Sequence, residues 1–376
     1  MTERAIDIQK IILHRLVMRL NDPFATSFGT MQEKEFFIIE MIDKEGCQGF
    51  GESVAFESPW YTEETVKTSE HLMEDFLIPM LFQAPIQNPE EVSKRFSRIK
   101  RNNMAKAGLE GAVWDLFAKR QNLSLSKMLG GIKEEIDVGI SIGIQPSIQE
   151  LLKKIERYAQ EGYKRMKVKI KPGKDLEVLK AVRKEFPDLP LMADANSAYT
   201  LNDISHLKRF DDLNLMMIEQ PLGQDDIIEH ARLQKELRTP ICLDESIYSL
   251  EDVKLAIELG GCKVINVKVG RVGGLTEAKK INDYCKLQGI PVWCGGMLEA
   301  GVGRAHNIAV TTLDQFLLPG DTSASKRYWQ EDIVEPEVTM DNGVIKVPTS
   351  TGIGYNINWK VLEKYRTEKR VFVNKH

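Results

Sequence analysis

Residues 165–196 read RMKVKIKPGKDLEVLKAVRKEFPDLPLMADAN. An apolar run carrying a Lys-x-Lys pair gives way to a Pro-Gly turn. A segment with helical spacing follows, and then a second apolar run that stops on an acid. This is a strand–helix–strand unit. It repeats outward along the chain. Lys169, Asp194, Glu219, Asp244 and Lys268 stand 25, 25, 25 and 24 residues apart, each ending or closely following a short apolar run. A charge at the end of a buried strand is costly unless it has a task there. Five of them at one strand-plus-helix period place strand ends together on one face of a barrel.

Eight apolar runs occupy the region from about 135 to 330: DVGISIGI, RMKVKI, LPLMAD, LNLMMIE, PICLDE, CKVINVK, IPVWCGG and QFLLPGD. Amphipathic segments with Gly or Pro exits lie between them, which predicts a parallel sheet. Eight strands over this length suit a TIM-like (β/α) barrel, with a modified (β/α)7β form as a variant, better than an open sheet. No GxGxxG or Walker loop opens any unit, which argues against nucleotide binding.

The remainder suggests a second body. Residues 5–55 carry strand-like alternation with a hairpin turn near Asp43–Gly46, and residues 62–130 read as helices starting near Thr62 and Asn88. The loop NDPFATSFGT between the first two strands holds Phe24 and Phe28, candidates for a lid over a substrate. Residues 331–376 are expected to pack back on this part. The predicted organisation is an α+β capping domain over 1–130, a catalytic barrel over 135–330 and a returning tail.

At 376 residues and net charge −4, with 51 basic and 55 acidic residues, the chain shows no basic footprint for nucleic acid. Its five cysteines are scattered and form no CxxC pair, so a reducing, cytoplasmic setting is expected. No signal-peptide core or membrane-length apolar stretch is present.

Asp194, Glu219 and Asp244 end the third, fourth and fifth predicted strands, where barrel active sites lie. Three carboxylates with no His or Cys partner suit Mg2+, with Mn2+ as a substitute. Lys167 and Lys169 lie two apart on one strand and so face the same side. Lys268 ends the sixth strand, across the barrel axis. A carboxylate substrate held over the metal would have a lysine on each face, and proton removal beside its carboxylate would give an enediolate. A lysine base needs a lowered pKa, which crowding by Lys167, Arg271 and a dication would supply. His206, His230 and His306 are assigned to packing or surface, as are Trp114 and Trp293. Cys294 lacks the positioned base that a thiol nucleophile needs.

The motifs KVKIKPG (167–173), ADAN (193–196), IEQP (218–221), LDES (243–246), KVGRVGG (268–274) and GGMLEAGVGR (295–304) resemble those of the enolase superfamily, muconate-lactonizing-enzyme subgroup. Within it they are similar to the o-succinylbenzoate synthase / N-succinylamino acid racemase family. TSFGT (26–30) and GLEGAVWDL (108–116) add to the resemblance.

The resemblance implies Mg2+ on Asp194, Glu219 and Asp244, Lys169 as general base, Lys268 opposite, and Lys167 tuning Lys169. It implies Asn196 and Glu245 behind these groups, Ser141 in the pocket, backbone donors from Gly295, Gly296 and Met297 to a succinyl carboxylate, and Phe24 and Phe28 on the capping loop. The implied reaction is loss of water from 2-succinyl-6-hydroxy-2,4-cyclohexadiene-1-carboxylate, with racemisation of N-succinylamino acids as the alternative. The charge of Arg271 should favour the latter by making Lys268 a readier proton donor. The expected partners are a small carboxylate substrate and further copies of the chain.

Overall fold

A computed structural model describes residues 5–25 and 30–375. The first strands, Ile8–Ala25, Thr30–Asp43 and Gln48–Ser53, form an antiparallel sheet, and the C-terminal strand Arg366–Val373 adds at its edge beside Ile8–Ala25. Strand therefore reaches Ala25, in a stretch that composition marked as loop, because after an irregularity past Arg19 the pairing resumes with Phe24 to Met31 and Ala25 to Thr30.

Alternation gives this sheet two apolar faces. Ile11, Leu13, Phe37, Ile39 and Met41 pack with the helices of the first 120 residues. Leu16, Met18, Leu20, Phe36 and Ile38 join the core shared with the barrel. Helix Asn103–Arg120 lies so close to the sheet that a Cβ on Gly51 would stand 1.9 Å from the Gly108 carbonyl oxygen. Only glycine permits that approach.

Seven parallel strands follow in sequential order: Gly139–Ile142, Arg165–Lys169, Leu191–Asp194, Ile218–Glu219, Ile241–Leu243, Val264–Val267 and Val292–Cys294. The eighth apolar run forms no regular strand. It closes the barrel through single bridges, Phe316 to Val292 on one side and Gly320 to Val138 on the other. Pro319 within the run has no N–H to give a ladder, so continuous pairing is interrupted there.

Helices cover the outside. Several start on a side-chain cap, as at Ser147, Asp226 and Ser249, and end on a left-handed glycine, as at Gly260 and Gly289. The segment after the third strand is broken into short 3-10 and α turns between Leu201 and Asp212 instead of one helix. Among the described residues no helix is long and apolar enough to cross a membrane.

Period-2 alternation also fills the barrel. Met192, Met217, Cys242, Val264 and Trp293 form a buried cluster of their own. Two residues further along their strands, on the same side, stand Asp194, Glu219 and Asp244. The apolar layer is a floor, and the acids stand above it at the mouth.

Candidate active site

A cavity of about 210 Å³ opens at the C-terminal ends of these strands. Its wall includes Ser141, Lys167, Lys169, Asp194, Asn196, Asp244, Glu245, Lys268, Gly296 and Met297, all singled out by sequence. Glu219, Arg271 and Gly295 stand behind that wall. Phe24 pairs through its backbone with Met31, and Phe28 lies outside the described residues.

The charges are interleaved. Lys169 Nζ donates to Asp194 Oδ2 at 3.1 Å and to Asn196 Oδ1 at 2.5 Å. Lys167 Nζ lies 2.9 Å from Glu219, 3.2 Å from Asp321 and 3.5 Å from Asp194. Lys268 Nζ donates to Asp244 Oδ2 at 2.9 Å, and Arg271 Nη1 pairs with Asp244 Oδ1. Asn266 Nδ2 donates to Glu219 Oε1 at 2.8 Å, and Asn196 Nδ2 to Glu245 Oε1 at 2.9 Å.

Two expectations are corrected by this network. Burial by itself would lower the Lys167 pKa, but Asp321, Glu219 and Asp194 outweigh it and hold it above its ordinary value. At Lys268 burial is likewise outweighed, by Tyr61, Glu245 and Glu219, and the pKa is again raised. The lowering expected from Arg271 therefore does not occur at Lys268, which faces more carboxylate than cation. Arg271 spends its charge on Asp244 and reaches Lys268 only through shared partners. The Asp194 carboxyl is pushed up by burial but pulled further down by Lys169 and Lys167, so it lies below the usual carboxylate range.

The backbone donors are also partly engaged. Gly295 N–H bonds Val267 O at 3.0 Å, and Met297 N–H bonds Glu299 Oε2 at 2.9 Å. Of the three expected donors, Gly295 serves the neighbouring strand and Met297 the loop itself.

Sequence reasoning missed Tyr61 and Asp321. Tyr61 comes from the loop before helix Val66–Leu72 and lines the cavity beside Phe56 and Trp60. Its hydroxyl accepts from Lys268 at 2.9 Å and Arg271 at 3.0 Å, and donates to Asp244 at 3.2 Å. No local pattern marks it; only docking of the first domain brings it there. Asp321 accepts from Ser141 Oγ at 2.9 Å and Arg165 Nη2 at 2.6 Å. It ends the run QFLLPGD, and the strand-end rule that selected Asp194 would have selected it.

The histidines match their assignment. His230 Nε2 accepts from Leu222 N–H, and burial lowers the His306 pKa to about 4. Burial pushes the Cys294 thiol well up, away from nucleophilic use.

A model of the enolase C-terminal domain-like family matches residues 150–361, and one of the mandelate racemase / muconate lactonizing enzyme N-terminal domain matches residues 8–130. The chain belongs to the enolase superfamily. It is 60% identical over 368 residues to an o-succinylbenzoate synthase of Geobacillus stearothermophilus, covering 98% of each chain. It is 46% identical to an N-succinylamino acid racemase of Thermus thermophilus, covering 95% of this chain and 96% of that one. A crystal structure of an enolase superfamily member from Listeria innocua superposes with a TM-score of 0.96 at 49% identity, covering 98% of this chain and 100% of that one.

Enzymes of this superfamily generally use a divalent metal. Asp194, Glu219 and Asp244 fit one by donor chemistry: they are buried, offer only oxygen, and end adjacent strands, with Asp194 and Glu219 in direct register. As they stand, among the described residues, no three such side chains are gathered closely enough to hold an ion. Lysine, arginine and asparagine side chains and the Asn196 N–H bond the carboxylate oxygens.

Proposed function

We propose that this chain is an o-succinylbenzoate synthase, a lyase that dehydrates 2-succinyl-6-hydroxy-2,4-cyclohexadiene-1-carboxylate within menaquinone synthesis. The observation that carries the reading is the pair Lys169 and Lys268. Both enter one cavity, from strands separated by three others, with Asp194 and Asp244 on the wall between. The relatives named for this reaction, at 46–60% identity, support it.

Asp194, Glu219 and Asp244 would hold Mg2+, or Mn2+ in its place. Bound there, the ion would offset the carboxylates' charge and stabilise the extra negative charge of an enediolate. Lys169 takes the proton α to the substrate carboxylate and gives it to the departing hydroxyl on the same face, so that the C–O bond breaks and water leaves. Lys268, paired with Asp244 and bonded to Tyr61, stays a cation beside the enediolate. Lys167 keeps Asp194 and Glu219 in place. Glu245 orients Asn196, and Ser141 lines the far wall with Gly296 and Met297. The aromatic side chains Phe56, Trp60 and Tyr61 exclude water from the capping side. Five free thiols suit a cytoplasmic enzyme.

The placement of Lys268 in the same cavity also supports racemisation of N-succinylamino acids, as does the named racemase relative. One preparation is assayed with Mg2+ for both reactions, with α-proton exchange in D2O followed for each enantiomer. Dehydration that disappears on chelation, returns with Mg2+, and falls roughly 10²–10⁴-fold in Lys169→Ala is expected. Dehydration that survives chelation or Lys169→Ala would overturn the reading. Exchange of both enantiomers that survives Lys268→Ala would overturn the two-base racemase.

A further inference from the structure

The turn after the third barrel strand is strained. Asn196 and Ser197 are both left-handed, with φ of +41° and +62°, and neither is glycine. Asparagine tolerates this conformation, but serine holds it at a cost that the surroundings must offset. The strain has a visible result. Asn196 turns back on its own strand, its N–H bonding Asp194 Oδ1 at 3.1 Å, and its carboxamide oxygen meets Lys169 Nζ.

What imposes the turn lies outside the cavity. Ser197 N–H bonds Gln220 O at 2.8 Å, and Tyr199 N–H bonds Pro221 O at 3.0 Å. The Tyr199 side chain is buried, and its hydroxyl donates to Asp175 Oδ2. Asp175 opens helix Asp175–Glu185, the one that follows the Lys169 strand. His206 Nε2 meets the same carboxylate oxygen at 2.9 Å, and Leu176 N–H donates to Oδ1 at 2.7 Å. Burial and then the Asp175 hydrogen bond raise the Tyr199 pKa, so the phenol remains a donor. The clasp thus ties the loop bearing Asn196 to the element that follows Lys169, across a gap of 24 residues. None of Tyr199, Asp175 and His206 lines the cavity.

We propose that Tyr199, clasped to Asp175, is a positioning residue for the active-site lysine: it holds the Asn196–Ser197 turn left-handed and so keeps the Asn196 oxygen on Lys169. This rests on the reading of Lys169 as the base. Tyr199 touches neither substrate nor metal; it acts through Asn196.

The test is a double-mutant cycle on the Mg2+-loaded full chain, with Tyr199→Phe, Asn196→Ala and the pair, read as kcat and KM of the dehydration. Tyr199→Phe is expected to lower kcat about ten-fold with KM unchanged within about two-fold, as misaimed catalytic groups do. In the Asn196→Ala background it should then lower kcat no further, because its route to Lys169 is already gone. A double variant whose loss equals the product of the two single losses would overturn the proposal, as would an unchanged kcat in Tyr199→Phe. Should Tyr199→Phe not fold by circular dichroism, Asp175→Asn, which weakens the acceptor and keeps the shape, enters the same cycle with the same outcomes. Lys169→Ala, followed by α-proton exchange alone, separates the two ideas. Persistent exchange sinks the assignment of the base, whereas lost exchange with an additive cycle sinks only the clasp.

Discussion

Two groups of buried acids in this molecule behave in opposite ways. At the barrel mouth Asp194, Glu219, Asp244 and Asp321 each face a lysine or arginine within 3.5 Å. At the junction of the first domain with the barrel, Glu52 accepts from Ala300 and Gly303 N–H, and Glu110 from Leu275 and Thr276 N–H. Glu64 accepts from Met104 and Ala105 N–H at the start of helix Asn103–Arg120. These three serve as helix N-caps made by distant segments.

The electrostatic outcome follows from the partners. Lysines beside Asp194 and Asp321 outweigh burial and keep both carboxyls below their usual range. Here burial wins over the backbone hydrogen bonds, pushing Glu52 up, with Glu299 adding to the rise, and Glu64 and Glu110 to about 7. Neutral N–H groups satisfy a carboxylate's geometry, but they do not repay its desolvation as a full cation does.

The contrast can be broken most directly at the mouth. Asp244→Ala leaves Lys268 and Arg271 buried without their shared carboxylate. Urea unfolding of the metal-free protein should show a loss of about 3–5 kcal/mol. A loss below that of a typical surface substitution would mean that the mouth charges are solvated and not paired.

The junction should respond to pH instead. The folded-state pKa of Glu110 is raised, so its contribution to stability is fully present below the ordinary carboxylate range and fades as pH rises through about 7. Between pH 5 and pH 8 the parent should lose about 2–3 kcal/mol more than Glu110→Gln does. Parallel pH profiles would show that the N–H groups hold Glu110 ionised throughout.

The smallest effect sharpens the same point. Ser147 caps helix Ile148–Gln160 with a neutral hydroxyl. Ser147→Ala should cost about 1 kcal/mol at either pH, with turnover unchanged. A pH-dependent cost there would mean that capping as such, and not burial of a charge, produces the pH response at Glu110.

The mouth was legible because its acids and lysines end apolar runs at one period. That periodicity places Lys169, Asp194, Glu219, Asp244 and Lys268 on one face before any coordinate is known. Asp321 obeys the same strand-end rule at the close of QFLLPGD but stands outside the 25-residue series that singles out the other charges. The junction acids carry no such mark. Glu110 lies within a helix, and its partners are 165 and 166 residues away in sequence. Tyr61 likewise meets Lys268 only across 207 residues.

From sequence alone came the parallel barrel, the identity of the charged groups at its mouth and the chemistry they suit. Local rules suffice there: alternation decides which side chains face inward, and strand ends decide their height. Only the tertiary structure decided how those charges pair and which loop closes over them. It also decided which buried acids stay ionised. Those outcomes depend on distances between segments far apart in the chain, and a charge's state in a dry interior is set by its nearest partners.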